Sequence, residues 1–212
     1  MNFFSDKGGL RYSVREFSYE GLGFYVLSDV YEPGEDTFLL AENLDVKTGD
    51  RVLDMGTGCG ILAVLSALKA AWVLALDINP RAIKCAKINA ERNKVSKKIS
   101  FICGDLFSPL RRKTIFDLIL FNAPYLPAEE KPREWIDYAW TGGRNGRRTI
   151  DRFLNDLPNY LKHGGRLLLV QSSLSNIEET LTMLENKKFK AEVTDRRRFF
   201  FEEIALIKAI KH

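Results

Sequence analysis

The feature that most constrains this chain is a glycine-rich turn, Asp54-Met55-Gly56-Thr57-Gly58-Cys59-Gly60. It joins a short apolar run, Arg51 to Met55, to a helix-like stretch, Ile61 to Lys69. Glycines at such a junction let the backbone turn tightly and let a ligand approach it closely. The chain beyond keeps the same alternation. Val73 to Leu76 reads as a buried strand ending at Asp77. Pro80 suits the first position of a helix running to about Asn93. Ile99 to Cys103 and Phe116 to Phe121 read as the third and fourth strands. Thr149 to Leu161 reads as a helix stopped by Gly164-Gly165, Arg166 to Gln171 as a fifth strand, and Ile177 to Asn186 as another helix.

Alternating strands and helices imply a parallel sheet covered on both faces. The ending differs. Two strands, near Phe189 to Thr194 and Phe199 to Ile210, are separated only by a basic turn, Asp195 to Arg198. That predicts a hairpin whose last strand enters the sheet antiparallel. The expected fold is therefore α/β and Rossmann-like: a seven-stranded, mostly parallel sheet with one antiparallel strand, the class I S-adenosylmethionine-dependent methyltransferase variant. With 212 residues a single domain is expected, residues 46–212 forming a catalytic core and residues 1–45 an N-terminal extension. Within the extension Phe24 to Val30 reads as a strand, Pro33-Gly34 as a turn and Thr37 to Leu44 as a short helix.

Composition excludes several classes. Hydrophobic content of 45% and charged content of 28% are ordinary for a globular chain. No apolar run approaches the roughly 18 residues that span a bilayer, and Met1 to Leu10 lacks a signal-peptide pattern. Three cysteines, Cys59, Cys85 and Cys103, show no Cys-x-x-Cys pairing, which argues against a disulfide framework or a zinc site. No metal site is expected, and a reducing cytoplasm is. The net charge of +4 permits a polyanionic partner without demanding one.

Three strand ends should meet in one crevice at the carboxyl edge of the sheet. The first carries Asp54, Gly56, Gly58 and Gly60. The second carries Asp77 and Ile78, where a carboxylate can accept both hydroxyls of a ribose. The third carries Asp105 and Leu106, placed to meet an adenine amino group and ring nitrogen. Asp77 could instead cap the next helix, although Asn79 is the better cap. A dinucleotide's pyrophosphate on the helix N-terminus favours glycine at the sixth position of Gly-x-Gly-x-x-Gly, and Ile61 stands there. S-adenosylmethionine brings an amino acid to this loop rather than a phosphate, and fits better.

The fourth strand ends in Asn122-Ala123-Pro124-Tyr125. An ordinary strand-ending turn would look the same. Beside a methyl donor, however, the tetrapeptide suits a planar nitrogen whose lone pair is delocalised. The Asn122 side-chain oxygen can accept one N–H and a backbone carbonyl the other, holding the lone pair toward the methyl group and stabilising positive charge on the nitrogen. Pro124 keeps Ala123 extended, and Tyr125 offers a flat face. No strong base is needed, and only His163 and His212 exist. Carbon methylation of pyrimidines would need a cysteine nucleophile. The three cysteines read instead as small buried residues.

At these residues the chain resembles the HemK family of protein-glutamine N5-methyltransferases, whose signature is Asn-Pro-Pro-Tyr. It is most similar to the short archaeal and eukaryotic branch that modifies the Gly-Gly-Gln loop of class 1 release factors. Three stretches carry the resemblance: Val30 to Leu40 with Glu32-Pro33-Gly34-Glu35-Asp36-Thr37, then Asp77-Ile78-Asn79-Pro80, then Ala139 to Arg147 with Asp151-Arg152-Phe153. It runs from about residue 24 to the C-terminus, and Met1 to Glu20 have no counterpart. The resemblance implies that Glu35, Asp36 and Thr37 line the methionine end of the cofactor. It implies that Asn122, Ala123 and Tyr125, with Gly142 and Gly143, hold the glutamine. Ala123 departs from the family's proline but keeps the backbone carbonyl. The resemblance also implies a small zinc-ribbon activator protein on an edge strand, here Lys98 to Cys103.

Three basic clusters stand out: Arg111-Arg112-Lys113, Arg144 with Arg147-Arg148, and Arg196 to Arg198. The first and third read as solvated surface. The second lies by the Gly-Gly motif and could meet an acidic release factor or ribosomal RNA. Two rival functions remain at this stage. An adenine or guanine amino methyltransferase would act on a similar planar NH2, but it usually carries a domain for base recognition. A non-catalytic cofactor-binding subunit would not need Asn122 and Tyr125.

Overall fold

The computed structural model describes residues 2–5, 11–112 and 115–212, with side chains from residue 13 onward apart from 113 and 114. Lys113 of the first basic cluster lies outside the described residues.

The described residues form two sheets. In the seven-stranded one, β4 (Arg51–Met55), β5 (Trp72–Asp77), β6 (Ile99–Cys103), β7 (Phe116–Asn122) and β8 (Leu161–Ser172) run parallel. β9 (Phe189–Arg198) and β10 (Glu203–Lys211) complete it. The order is β6-β5-β4-β7-β8-β10-β9, and β10 lies antiparallel to both of its neighbours. The expected sheet is thus present, with its one antiparallel strand. Strands β4 and β7 are buried along almost their whole length, as strands covered on both faces must be. Packed with them are α2 (Ile61–Ala67), α3 (Pro80–Arg92), α4 (Arg148–Asp156) and α5 (Ile177–Asn186). Asn79 caps α3 as expected, its side chain accepting from the Arg81 N–H at 2.9 Å.

Two expected boundaries are corrected. The hairpin turn is not at Asp195 to Arg198. Those residues continue β9, paired with Glu203 to Leu206, and the turn is made by residues 199–202. As an edge strand β9 alternates half-buried and exposed positions after the buried Phe189, so its arginines fall partly on the solvent face. Gly164-Gly165 likewise does not end a helix: α4 stops at Asp156, and both glycines lie within β8, where its register against β7 is irregular.

The N-terminal segment is an integral layer rather than an appendage. β1 (Asn2–Ser5), β2 (Arg11–Tyr19) and β3 (Leu22–Leu27) form an antiparallel sheet. Its β3 edge needs partners for backbone groups that no further strand among the described residues satisfies. Asn89 of α3 and Asn93, the residue that caps its C-terminal end, provide them. Asn89 accepts from the Tyr25 N–H and donates to its carbonyl, both at 2.8 Å, and Asn93 serves Gly23 in the same way. Next comes α1 (Glu35–Glu42), beginning two residues before the expected Thr37. Two acidic residues in its first turn suit the positive end of the helix dipole.

Candidate active site

A cleft of about 510 Å³ opens at the carboxyl edge of the sheet. Its floor is the turn after β4. Gly56 and Gly58 line it, and the Gly56 and Thr57 N–H groups donate to the Leu76 carbonyl at 2.8 and 3.0 Å. Gly60 does not line the cleft. It caps α2 with φ of +85°, and a Cβ there would stand 2.8 Å from Ala86. Only glycine lets α2 and α3 pack this closely. Asp54 also departs from expectation, lying fully buried beneath the loop and accepting the Thr57 hydroxyl at 2.5 Å. Burial pushes its carboxyl up to about 7.

Asp77, Ile78, Asp105 and Leu106 all line the cleft. Asp77 accepts from the Gly58 and Asn79 N–H groups, each at 2.9 Å. Those two bonds leave acceptor capacity on an ionised carboxylate, although burial raises its pKa to about 6. Asp105 accepts from Arg152 of α4 at 2.6 Å, and Arg152 shares the cleft wall.

The chemistry gathers on Asp36, which is 4% exposed. Its Oδ1 accepts the Thr37 N–H at 2.6 Å and the Thr37 hydroxyl at 3.2 Å. Its Oδ2 accepts from the Tyr31 hydroxyl at 3.1 Å, the Tyr125 hydroxyl at 3.2 Å and the Asn122 Nδ2 at 3.0 Å. The Asn122 amino group also donates to Thr37 Oγ1 at 3.2 Å. The other end of that amide, Asn122 Oδ1, is buried and has no hydrogen-bond partner among the described residues. A buried acceptor left unpaired costs about 1–3 kcal/mol, so such an atom in a cleft marks a place for a donor. Burial, then the charge of Asp36, drives both phenols far above their usual pKa, and neither can serve as a base.

Asn122, Pro124 and Thr37 line the main cleft. Asp36, Ala123 and Tyr125 instead line a second hollow of about 210 Å³ behind it, together with Tyr31, Leu126, Ala139 and Trp140. Tyr125 is therefore turned toward Asp36 rather than lying flat across the cleft. Glu35 lines neither hollow: it is exposed, with its carboxylate 3.8 Å from Arg197. Gly142 and Gly143 are also outside the cleft and act on the backbone behind it. Gly142 N–H donates to the Leu126 carbonyl at 2.8 Å, and the Ala128 N–H donates to Gly143 at 2.9 Å. A Cβ on Gly146, which has φ of +73°, would stand 2.3 Å from the Tyr125 carbonyl oxygen. This glycine cluster clamps the segment that follows the tetrapeptide.

The second basic cluster divides. Arg144 and Arg148 are exposed, and Arg148 lines the cleft. Arg147 is 1% exposed and donates to the Ser175 and Asn176 carbonyls at 2.7 Å and to Thr180 at 3.0 Å. It is a structural clamp and no partner can reach it. Cys59 and Cys85 are buried as expected, whereas Cys103, at the end of an edge strand, is exposed. Several lining residues escaped the sequence reading, namely Tyr31, Lys131, Trp135, Tyr138 and Thr149. The signal for Trp135 and Tyr138 was two large aromatics close together in a charged loop.

The chain is similar to known methyltransferases. The profile of the methyltransferase small domain family matches residues 31–137. A Methanocaldococcus jannaschii protein, provisionally named a protein N5-glutamine methyltransferase, is 45% identical over 194 residues, covering 90% of this chain and 96% of the relative. Human methyltransferase HEMK2 is 34% identical over 90% of this chain and 94% of its own. Among solved structures, the E. cuniculi Mtq2–Trm112 complex, described as responsible for methylation of the termination factor eRF1, superposes with a TM-score of 0.69. It is 27% identical and covers 87% of this chain and 99% of that one.

Proposed function

The chain belongs to the methyltransferase small domain family and is a methyltransferase of the glutamine-N5 type, and from that premise we propose that it methylates the side-chain amide of a glutamine in the Gly-Gly-Gln loop of a class 1 release factor. The observation that carries the reading is Asn122 Oδ1, a buried acceptor on a cleft-lining residue with no hydrogen-bond partner among the described residues, which leaves it free for an amide N–H.

The cleft fits S-adenosylmethionine, which when bound supplies an electrophilic methyl group. A pocket of this volume is of ordinary ligand size. Gly56 and Gly58 would leave room for close approach, Asp77 would accept from ribose hydroxyls, and Asp105 with Leu106, which also line the cleft, would meet the adenine. Asn122 then accepts one N–H of the incoming amide, which fixes its plane and directs its lone pair into the cleft. The same oxygen stabilises the positive charge that grows on the nitrogen. Tyr31 and Tyr125 are held protonated and do not take the surplus proton, which leaves the methylated nitrogen after transfer.

The exposed edge strand β6 is the place where a small partner protein, of the kind present in the Mtq2–Trm112 complex, would pair. Among the described residues no helix is long and apolar enough to cross a membrane, and action on a translation factor would be in keeping with a cytoplasmic enzyme. The test is transfer of radiolabelled methyl groups to release factor, tRNA and DNA in parallel. Label in the release factor is expected. Label confined to nucleic acid would overturn the glutamine assignment, and label in none of them, with cofactor bound, would favour a non-catalytic role.

A further inference from the structure

An asparagine amide can present either end to a ligand, and the two ends do opposite things: the oxygen accepts and the amino group donates. A substrate NH2 needs the oxygen. Nothing in Asn122 itself selects that orientation, so the selection comes from what faces its other end.

We infer that Asp36 is a positioning residue that sets the orientation of the Asn122 amide and so decides that an acceptor, not a donor, faces the substrate. This rests on the reading of Asn122 as the acceptor for the amide N–H. Behind Asn122 stand two oxygens, Asp36 Oδ2 at 3.0 Å and Thr37 Oγ1 at 3.2 Å. The Thr37 hydroxyl gives its proton to Asp36 Oδ1, leaving its lone pairs toward Asn122. Both neighbours therefore accept, and only the amino end of Asn122 can satisfy them. The reverse orientation would set the amide oxygen against a carboxylate oxygen. Asp36 is itself pinned by four further hydrogen bonds, two from Thr37 and one each from Tyr31 and Tyr125. The Thr37 N–H fixes which carboxylate oxygen is Oδ1, so the remaining one must face Asn122.

The same geometry states what Asp36→Asn does. The Thr37 N–H still demands an oxygen at the Oδ1 position, so the new amino group takes the Oδ2 position. It meets the Asn122 amino group, which turns away and presents a donor to the substrate. The shape of the site is kept and its polarity is reversed.

The test compares wild type with Asp36→Asn, Asn122→Ala, the double variant of those two, and the exchange variant Asp36→Asn with Asn122→Asp. Steady-state methylation of a Gly-Gly-Gln release factor is measured with cofactor Kd and Tm. Asp36→Asn is expected to lower kcat about 100-fold, with cofactor Kd within about threefold of wild type. Adding it to Asn122→Ala is expected to cost nothing more, because both act through one atom. The exchange restores a matched donor and acceptor across the contact, now with residue 36 donating, and leaves an oxygen of residue 122 facing the substrate, and is expected to recover at least about tenfold of the lost kcat. Full activity of Asp36→Asn beside an inactive Asn122→Ala overturns the inference alone, as do losses that multiply in the double variant. An active Asn122→Ala overturns the reading of Asn122 beneath it. If Asp36→Asn fails to fold, the exchange variant decides: folded and active supports the inference, folded and inactive overturns it.

Discussion

Asn122 Nδ2 donates to Asp36 Oδ2 across 3.0 Å, and that contact ties the strand end carrying the tetrapeptide to the first turn of α1, 86 residues earlier in the chain. Chemistry read from Asn122-Ala123-Pro124-Tyr125 alone is thus completed by a segment that looked like an extension. Removing the acceptor should therefore separate catalysis from cofactor binding. Asn122→Ala is expected to lower kcat by at least about 100-fold while cofactor Kd, measured by calorimetry, stays within about threefold.

Cofactor affinity should fall in acid. Burial raises Asp77 to about 6, and donors on a ligand favour the ionised carboxylate. Binding is then strongest above that value and weakens by about tenfold per pH unit below it. Titrations between pH 5 and 8 test this, and Asp77→Asn should bind weakly with little pH dependence over that range.

Asp54 gives an opposite trend in stability. Its folded pKa of about 7 lies above its unfolded one, so the native state holds the proton more tightly. The contribution is fully present below the unfolded pKa and is lost as pH rises through about 7. Relative to wild type, Asp54→Asn should have its lowest Tm near pH 4 and should gain several degrees by pH 8. Thermal melts of the two proteins side by side measure it.

Gly146→Ala should damage stability and activity together. A side chain there collides with the Tyr125 carbonyl and forces a left-handed residue into strain, at a cost above about 1 kcal/mol. A lowered Tm with kcat reduced at saturating cofactor is expected. Arg147→Met should cost about 1–3 kcal/mol by removing the buried donor shared by the Ser175 carbonyl and the Thr180 hydroxyl, whereas Arg144→Ala should leave Tm unchanged.

What could be read from sequence follows from how local each signal is. The β4 turn, Asp77, Asp105 and Asn122 each sit at a strand end, and strand periodicity located them. The N-terminal segment was less legible because Asn89 and Asn93, far along the chain, complete its sheet edge. Asp36 was noticed only through family resemblance and assigned to the cofactor, since nothing local shows a carboxylate gathering Tyr31, Tyr125 and Asn122. The C-terminal hairpin misled for a physical reason. Charged Arg196 to Arg198 look like a turn and Phe199 to Phe201 like a strand, yet the phenylalanines form the exposed tip. Gly142 and Gly143 signalled the right neighbourhood, but their work is on the backbone behind the cleft.

The most direct measurement is the chemical position of the transferred methyl group. Release factor incubated with the enzyme and S-adenosylmethionine is digested and sequenced by fragmentation mass spectrometry. The account predicts one added methyl on the side-chain nitrogen of the glutamine in the Gly-Gly-Gln loop, absent with Asn122→Ala. A methyl group found on another residue, or an unmodified release factor beside a methylated base in nucleic acid, contradicts it.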